Sequence, residues 1–512
     1  ENRYFAEQDN FSKIPGSPVA YWIEDKFLKC FDEKKVSYYG DALEGIKTGD
    51  NDRFLRIWYE VDNTYISLLD ENMDNSIKWV FTTKGGIFRK WYGNIEYVMY
   101  WKNNGQEICN YPGSSFYQKR NIFRPATTWT YLTSGKMSFR YLGKGYFYNN
   151  KGPAVFCDTQ KDAMLLTGFL NSNVANYIQR FINPTLTVLP GNIRNIPCIL
   201  PENDDIFQRL IGENIKLSEQ DWNSSETSWN FKYHPLLNKA DSIAEAFEKW
   251  SDECDTQWKK LKYNEEELNR IFIDIYGLQD ELSPEVEEKD ITVRKADLQR
   301  DIRSFVSYAV GCMFGRYSLD EEGLIYAGGE WDSSRYKTFM PDEDNCIPIT
   351  DEEYFFDDIV GYLVEFVKTV YGADTLEENL DFIAKALGNK GDTSREVIRN
   401  YFLKDFYADH LKVYQKRPIY WLFDSGKENG FKALIYMHRY DADTVGRVRT
   451  DYLLRAQKYV ETAMQSAQYT IDNASSASEK SKARKAVTKY TKQLAEMKIY
   501  DEAISHIANK RI

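Results

Sequence analysis

The chain changes its hydrophobic pattern once along its length, and this change limits the folds that are open to it. Between residues 51 and 160, short runs rich in β-branched and aromatic residues, such as Arg53–Val61 and Ile95–Trp101, alternate with turn-forming residues. Runs of this kind predict strands in a twisted antiparallel sheet or half-barrel. After residue 205 the pattern is mostly helical. Strands followed by helices predict an α+β protein, with a β-rich module ahead of a mainly helical C-terminal region.

The final segment, residues 451–512, shows the clearest helical pattern. Ala456 and Val460 belong to one apolar stripe with a 3-4 spacing, and Tyr490 and Met497 belong to a second one. A polar break at residues 473–478 separates the two stripes. Two stripes joined by a short break predict an antiparallel helical hairpin.

Local signals predict where some elements begin and end. Asn103-Asn104-Gly105 and Gly143-Lys144-Gly145 predict tight hairpin turns between strands. Asp162–Ile182 predicts one helix. Thr375-x-x-Glu378 and Thr393-x-x-Glu396 predict capping boxes, in which threonine and glutamate satisfy the free backbone N–H groups of a first helical turn.

The net charge of −12 conceals a basic module inside an acidic chain. Residues 84–200 hold 14 Lys and Arg against 4 Asp and Glu, while the remaining residues hold 52 against 74. The cations alternate with aromatic residues such as Trp91, Tyr92 and Trp129. Phosphates attract cations, and base edges bind arginine, lysine and hydroxyl groups. The module therefore has the composition of a nucleic-acid-binding surface, although a solvated basic face over an aromatic sheet core gives the same pattern.

Several chemistries find no support in the residues. None of the 14 prolines is adjacent to another, so the Asn/Asp/Ser-Pro-Pro-aromatic loop with which amino-methyltransferases hold adenine is absent. Tyr141–Gly145 mimics a cofactor-binding glycine string, but a strand pattern follows it rather than a helix. The four histidines show no metal-ligand spacing, and no G-x-x-x-x-G-K-S/T string occurs. We therefore expect no catalytic residue, no metal and no cofactor within these residues.

Cysteine usage and hydropathy predict the compartment. The seven cysteines are scattered and form no C-x-x-C pair, which predicts a reducing cytoplasm. The longest apolar stretch, Phe305–Gly315, is too short for a bilayer, so no membrane contact is expected. Residue 1 is Glu and no signal peptide follows it, so we expect these residues to be part of a longer product.

Several strings resemble one family of enzymes. Gly45–Phe54, a G-x-x-T-G-x-N-x-x-F string, is similar to the start of the target-recognition region in adenine-specific DNA methyltransferases, a set that includes Type IIG restriction-modification enzymes. The resemblance is to the PglX methyltransferases of BREX phage-defence systems in particular. Further strings follow in the order of that family: Ile14–Trp22, Lys84–Asn94, Leu268–Leu278, Gly311–Tyr317 and Lys416–Trp421.

The resemblance implies a domain that recognises duplex DNA and chooses the adenine to be flipped out and methylated at N6. The family's catalytic half, with its Asn-Pro-Pro-aromatic loop and its methyl donor S-adenosylmethionine, would precede residue 1, so this part is expected to be inactive alone. Its partners would be duplex DNA, its own methyltransferase domain and other BREX components. The predicted division is a leading segment 1–50, a recognition domain 51–204, a helical spacer 205–300, a helix-dominated domain 301–450 and the hairpin 451–512.

Positions for DNA contact are predicted within the basic module. Base or groove contacts are predicted for a polar stretch between strands, namely Arg120, Arg124, Thr127, Thr128, Lys136 and Arg140. Phosphate contacts are predicted for Lys84, Arg89, Lys90, Lys144 and Arg194. Thr48, Asn51 and Arg53 are expected to shape the turn that opens the recognition region.

Two other function classes stay open. The acidic helical half and the hairpin predict, as the main alternative, a docking module for other defence proteins with only minor DNA contact. A carbohydrate-binding β-domain is a further reading, because aromatic residues make up 15% of the chain. Sugar-binding platforms usually pair aromatic rings with carboxylates, and the basic module holds few of these.

Overall fold

The computed structural model describes residues 12–16, 25–70, 72–116, 121, 123–133, 135–183, 185–201, 204–237 and 240–511. They form two compact units: residues up to 231 together with 251–296, and residues 232–250 together with those from 297 onward. Helix accounts for 51% of the chain and strand for 11%, which confirms the predicted α+β class. Most of the predicted string Ile14–Trp22 and the whole of Arg120 lie outside the described residues.

The first unit contains two sheets rather than the single sheet that the strand pattern predicts. Its described strands are β1 (Gly40–Leu43), β2 (Leu55–Ile57), β3 (Ile66–Ser67), β4 (Trp79–Thr83), β5 (Tyr97–Tyr100), β6 (Ala126–Trp129), β7 (Phe139–Leu142), β8 (Phe147–Tyr148) and β9 (Ala154–Cys157). One sheet is antiparallel, with the order β1-β9-β6-β7. The other has the order β2-β5-β4-β3, and β8 runs parallel to β4.

Both predicted hairpin turns are wrong, for different reasons. Gly143-Lys144-Gly145 joins β7 to β8, but β7 pairs with β6 and β8 pairs with β4, so the turn passes from one sheet to the other. Asn103-Asn104-Gly105 has the expected left-handed φ angles of 53°, 55° and 72°, yet it opens a helical segment, Lys102–Cys109. A Cβ on Gly105 would lie 2.3 Å from the Trp101 ring, so this turn requires glycine.

The helices of the first unit cover its four-stranded sheet. They are α1 (Gln160–Leu170), α2 (Asn173–Ile182), α3 (Asp205–Asn223) and the part of α4 (Ile243–Tyr276) that follows residue 250, with short helical segments at Asp25–Leu28, Val36–Tyr39 and Pro190–Arg194. A further short segment, Asn51–Phe54, packs on the other sheet, since Phe54 shares a core with Val80 and Met99. Two helices, α1 and α2, replace the one predicted at Asp162–Ile182, because Ser172 caps the second by accepting a hydrogen bond from Ala175 N at 3.1 Å. The core between helices and sheet contains Phe139, Leu166 and Phe272.

The second unit is mainly helical. Its long helices are α5 (Leu298–Met313), α6 (Ile359–Tyr371), α7 (Leu376–Leu387), α8 (Ser394–Lys404), α9 (Phe406–Val413), α10 (Leu454–Asn473) and α11 (Ala477–Lys510), and Thr444–Arg447 is a single turn followed by a π-helical turn, Val448–Leu453. An antiparallel sheet contains β10 (Ile347–Pro348), β11 (Tyr420–Asp424) and β12 (Lys432–Tyr436) in the order β10-β12-β11. Among the described helices, none combines the length and apolar composition that crossing a bilayer needs.

The predicted helical hairpin is confirmed as α10 and α11. Ala456, Val460 and Met497, which the spacing places on the apolar stripes, are fully buried. Asp501 interrupts the apolar pattern because it has an ionic partner: Arg449 Nε donates to its carboxylate at 2.6 Å.

The two predicted capping boxes differ in the structure. The hydroxyl of Thr393 accepts a hydrogen bond from Glu396 N at 3.2 Å, and the Glu396 carboxylate accepts one from Asp392 N at 2.7 Å. Thr375 makes no cap hydrogen bond with its side chain; its hydroxyl donates to the Asp241 carbonyl at 2.9 Å and accepts from Asn379 Nδ2 at 3.0 Å. Both signals predict a helix start correctly, since α7 begins after Thr375 and α8 after Thr393, but only the Thr393 hydroxyl caps its helix.

We expect Thr393→Ala to lower the free energy of unfolding by about 1 kcal/mol, because Glu396 N loses its acceptor at the start of α8. Thr393→Ser keeps a hydroxyl at this position and is the matched control, expected to stay near the unsubstituted chain. Urea denaturation of the three proteins measures the difference. An equal loss in both variants would show that the hydroxyl is not the stabilising group.

Candidate nucleic-acid interface

Two of the residues predicted to contact phosphates, Arg89 and Lys90, are buried in the structure. The guanidinium of Arg89, 5% exposed, donates to Asp221 Oδ2 at 3.0 Å and to the Ser218 carbonyl at 2.7 Å. Burial lowers the pKa of Arg89, and the Asp221 carboxylate opposes that effect. Lys90, 4% exposed, pairs through Nζ with Glu265 of α4. Both side chains therefore fasten the segment after β4 to helices α3 and α4.

Three predicted base contacts are also buried. Arg140 on β7 is 1% exposed; its Nη1 donates to the Arg89 carbonyl at 3.1 Å, and its Nε has no hydrogen-bond partner. Burial, together with the Arg89 charge, lowers the pKa of Arg140 to about 9. Thr127 and Thr128 on β6 are likewise buried, and Thr128 donates to the Pro153 carbonyl at 2.8 Å. A DNA duplex on the outside of this unit would not reach these buried side chains.

Two more predicted base contacts are partly exposed but already paired with carboxylates. Arg124 bridges Asp41 at 2.7 Å and Asp158 at 2.9 Å. Lys136 Nζ lies 2.6 Å from Asp290 Oδ2. A phosphate would have to compete with these carboxylates for the cation, so neither side chain is free for DNA in this arrangement.

The turn residues predicted from the Gly45–Phe54 string come together. Thr48 Oγ1 donates to Asn51 Oδ1 at 2.7 Å, and Asp50 accepts from Arg53 N at 3.1 Å at the start of the segment Asn51–Phe54. The guanidinium of Arg53 pairs with Glu107 at 2.5 Å. These contacts are local to the turn and its neighbouring helical segment.

Three loops meet at one edge of the first unit and form what we call the Lys84–Lys151 surface. They are residues 84–88 after β4, residues 130–132 after β6 and residues 149–153 before β9. Thr130 Oγ1 donates to the Gly86 carbonyl at 3.2 Å, and Tyr131 N donates to the Lys151 carbonyl at 3.2 Å. Gly85 has φ +84°, and a Cβ there would lie 2.8 Å from the Lys151 carbonyl oxygen. Glycine at this position therefore allows the loops to meet.

The Lys84–Lys151 surface combines unpaired cations with apolar side chains. Lys84 Nζ lies 4.5 Å from the centroid of the Tyr97 ring, and Lys151 Nζ lies 4.6 Å from that of Tyr131. Neither lysine has a carboxylate partner in the described part of the chain. Ile87 is 72% exposed and Leu132 is 63% exposed. Cations beside exposed apolar groups can meet phosphates and also the thymine methyl or an unstacked base step.

The exposed members of this surface differ from most of the predicted set. Of the predicted phosphate contacts, Lys84 lies on it, while Lys144 and Arg194 are exposed elsewhere in the same unit. Sequence reasoning missed Thr130, Lys151 and the apolar pair. The glycine pair directly after Lys84 was the available signal, since consecutive glycines let backbones approach closely.

The comparisons with known proteins give a consistent result. No protein-family model matches the chain. The adenine-specific methyltransferase PglX of Lacticaseibacillus casei (strain Zhang) is 44% identical over 529 residues, and the adenine-specific methyltransferase BrxX of Escherichia coli O9:H4 (strain HS) is 34% identical over 537 residues. Each match includes 99% of this chain but 44% of the relative, so the chain spans less than half the length of these proteins.

Proposed function

Over the part that it spans, the chain is a homologue of the PglX and BrxX adenine-specific methyltransferases, and we propose that it supplies such an enzyme with DNA sequence recognition. The duplex would rest on the Lys84–Lys151 surface. The observation that carries the proposal is the pair of lysines without carboxylate partners, within a module of 14 cations and 4 acids. Methyl transfer to adenine in phage defence is proposed for the whole enzyme.

The methyl donor is placed outside these residues. The relatives' activity implies S-adenosylmethionine for the whole enzyme. The string most like a cofactor loop, Tyr141–Gly145, joins β7 to β8 and opens no helix, so it offers no helix-start N–H groups to an anionic ligand. These residues do not fit the cofactor. In our proposal the chain positions the duplex, and the catalytic part receives the flipped adenine.

The side chains of the surface divide the work of recognition. Lys84 and Lys151 hold their ammonium groups over tyrosine rings, 4.5 and 4.6 Å from the ring centroids, and would meet phosphates from there. Thr130, whose hydroxyl proton is donated to the Gly86 carbonyl, keeps an oxygen lone pair for a base-edge amino group, and Ile87 and Leu132 offer apolar contact. Lys144 and Arg194 are proposed as additional phosphate contacts at the edge of the duplex.

The buried cations take a supporting part in this proposal. Arg89 and Arg140 are linked through the Arg89 carbonyl, which accepts from Arg140 Nη1 at 3.1 Å. Arg140 Nη2 also lies 3.5 Å from Thr130 Oγ1. They hold the loop residues 84–88 and 130–132 in place from beneath, and their substitution would disturb the surface without removing a DNA contact.

Fluorescence anisotropy of the full chain on duplex DNA, repeated over a series of salt concentrations, tests the proposal. Affinity should fall as salt rises, with a log–log slope of about −0.9 for each phosphate neutralised. A slope near zero would overturn DNA binding through phosphates. Sequence preference is read from the same titration on a library of duplexes.

The double substitution Lys84→Ala with Lys151→Ala locates the site. It should weaken binding and reduce the magnitude of the salt slope by about 2, because two phosphate contacts are lost. The matched control is Lys482→Ala with Lys485→Ala, which removes two exposed cations from α11 and should leave the slope unchanged. If the Lys482→Ala with Lys485→Ala variant loses slope and the Lys84→Ala with Lys151→Ala variant does not, DNA binds at the hairpin and the Lys84–Lys151 surface is refuted.

A further inference from the structure

Three carboxylates converge in the second unit, whereas the Lys84–Lys151 surface belongs to the first unit. One oxygen each of Asp342, Asp344 and Asp357 lies within 4.8 Å of the other two. Asp342 is 3% exposed and Asp357 is 2% exposed, while Asp344 is partly open to solvent. Asp342 and Asp344 precede β10, and Asp357 precedes α6, so the cluster joins two segments of the fold.

No ion pair neutralises this cluster directly, although Arg439 and Arg447 interact with it electrostatically over a longer distance. In the described part of the chain, none of the three carboxylates has a lysine or arginine within ion-pair distance. The neighbouring Asp358 is also buried, but its charge is paired: its carboxylate accepts from Nη1 and Nη2 of Arg399 at 2.7 and 2.8 Å. Buried charges are normally paired or coordinate a metal.

Two hydrogen-bonding observations fit a cation bound by this cluster. Asp357 is only 2% exposed, and its Oδ1 is buried without a hydrogen-bond partner. The Tyr452 hydroxyl lies 2.7 Å from Asp344 Oδ2 and 2.6 Å from Asp357 Oδ2. That hydroxyl has one proton, so it cannot satisfy both carboxylates.

We propose that Asp342, Asp344 and Asp357 bind a divalent metal cation that takes oxygen ligands. Other contacts hold the carboxylates in place without neutralising them: Cys346 N donates to Asp342 at 3.0 Å and to Asp344 at 3.1 Å, and Tyr362 donates to Asp342 at 2.9 Å. Oxygens about 2.4 Å from a shared Ca²⁺ are at most about 4.8 Å apart, so the three carboxylates can share one Ca²⁺. Three carboxylates favour Ca²⁺ over Mg²⁺, because Mg²⁺ is usually held by one or two carboxylates and keeps several waters. The partly open Asp344 provides the route from solvent.

Terbium luminescence tests this site on the full chain after removal of metals with a chelator. Tb³⁺ replaces Ca²⁺ and emits when an adjacent tyrosine absorbs light, and Tyr452 and Tyr362 contact the proposed ligands. Sensitised emission that Ca²⁺ displaces better than Mg²⁺ is expected. Emission that Mg²⁺ displaces equally well would keep a divalent site but overturn the preference for Ca²⁺. No sensitised emission, combined with a melting temperature that none of Ca²⁺, Mg²⁺ or Mn²⁺ raises, would overturn the site.

Substitutions place the ion. Asp344→Asn should abolish or strongly weaken the emission. In the unsubstituted chain, Ca²⁺ should raise the melting temperature by on the order of a few degrees, and in Asp344→Asn it should not raise it. The matched control is Glu343→Gln, which removes the same charge from the exposed residue between two proposed ligands. Emission retained in Asp344→Asn and lost in Glu343→Gln would refute the ligand set. If Asp344→Asn fails to fold, the metal titration of the unsubstituted chain still decides the proposal.

Discussion

Replacing Lys90 with methionine is expected to lower the free energy of unfolding by about 3–5 kcal/mol. The methionine retains the length of the side chain but leaves Glu265, 5% exposed, as a buried carboxylate without its cation. Trp91 Nε1 continues to donate to Glu265 Oε1 at 2.7 Å, but one neutral donor does not replace an ammonium group. Urea denaturation measures the loss, and hydrogen exchange of peptides from β6 and β7 assigns it to the first unit.

The double variant Lys90→Met with Glu265→Gln sharpens this test. It removes both charges and keeps an oxygen to accept from Trp91, so most of the lost stability should return. Lys84→Met is the control for loss of one positive charge at a more accessible position, and it should change stability by about 0.5 kcal/mol or less. If Lys90→Met is as mild as Lys84→Met but weakens DNA binding, Lys90 contacts phosphate after all and our account of it is wrong.

The Lys90–Glu265 pair also shows why the candidate site could be predicted only in part. The two residues are 175 positions apart, so nothing in the sequence near Lys90 reveals that its charge is already neutralised. The basic module was visible as composition, but composition counts a buried cation and an exposed one alike. The difference that matters is burial: Arg89 and Lys90 are buried, whereas Lys84 and Lys151 are at least partly exposed.

The fold follows the same division between local and distant causes. The hairpin of α10 and α11 was predictable because its apolar stripes and its polar break are local patterns. The left-handed turn at Asn103-Asn104-Gly105 was predictable as backbone geometry, but not the helical segment that it opens. Strand pairing across two sheets was not predictable, because β8 pairs with β4 through a parallel register between residues 82–83 and 147–148. Such pairing depends on packing and not on the turn that precedes the strand.

The second unit should lose stability as pH falls below about 6.5, because two of its histidines are buried in the neutral form. His234 accepts from Leu236 N through Nδ1 at 3.2 Å and lies 2.7 Å from Ser304 Oγ through Nε2. His410 Nε2 accepts from both Ile419 N and Tyr420 N, at 3.1 and 3.2 Å, which leaves no room for a proton on that nitrogen. Burial lowers the pKa of each histidine to about 3.

The sign of the effect follows from proton uptake. Between pH 6.5 and 3 the unfolded chain binds a proton at each of these histidines and the folded chain does not, so acid favours unfolding. From pH 7 to pH 5 each histidine should remove about 2 kcal/mol of stability, and the two together about 4 kcal/mol. Asp342 acts in the opposite direction, because burial and then the neighbouring Asp344 raise its pKa to about 7 and the folded state gains the proton there. A comparison between variants cancels that contribution.

His410→Gln isolates one histidine, since glutamine can keep an acceptor near the Nε2 position but cannot be protonated. Its stability should fall by about 2 kcal/mol less than that of the unsubstituted chain between pH 7 and pH 5, whatever its stability at pH 7. His506→Gln on α11 is the matched control: its side chain is exposed, so the pH dependence should not change. Urea denaturation at pH 7, 6 and 5 gives the three slopes. If the pH dependence of stability is the same for His410→Gln and the unsubstituted chain, then His410 is protonated in the folded state. That outcome would contradict the hydrogen bonds that Ile419 N and Tyr420 N donate to its Nε2.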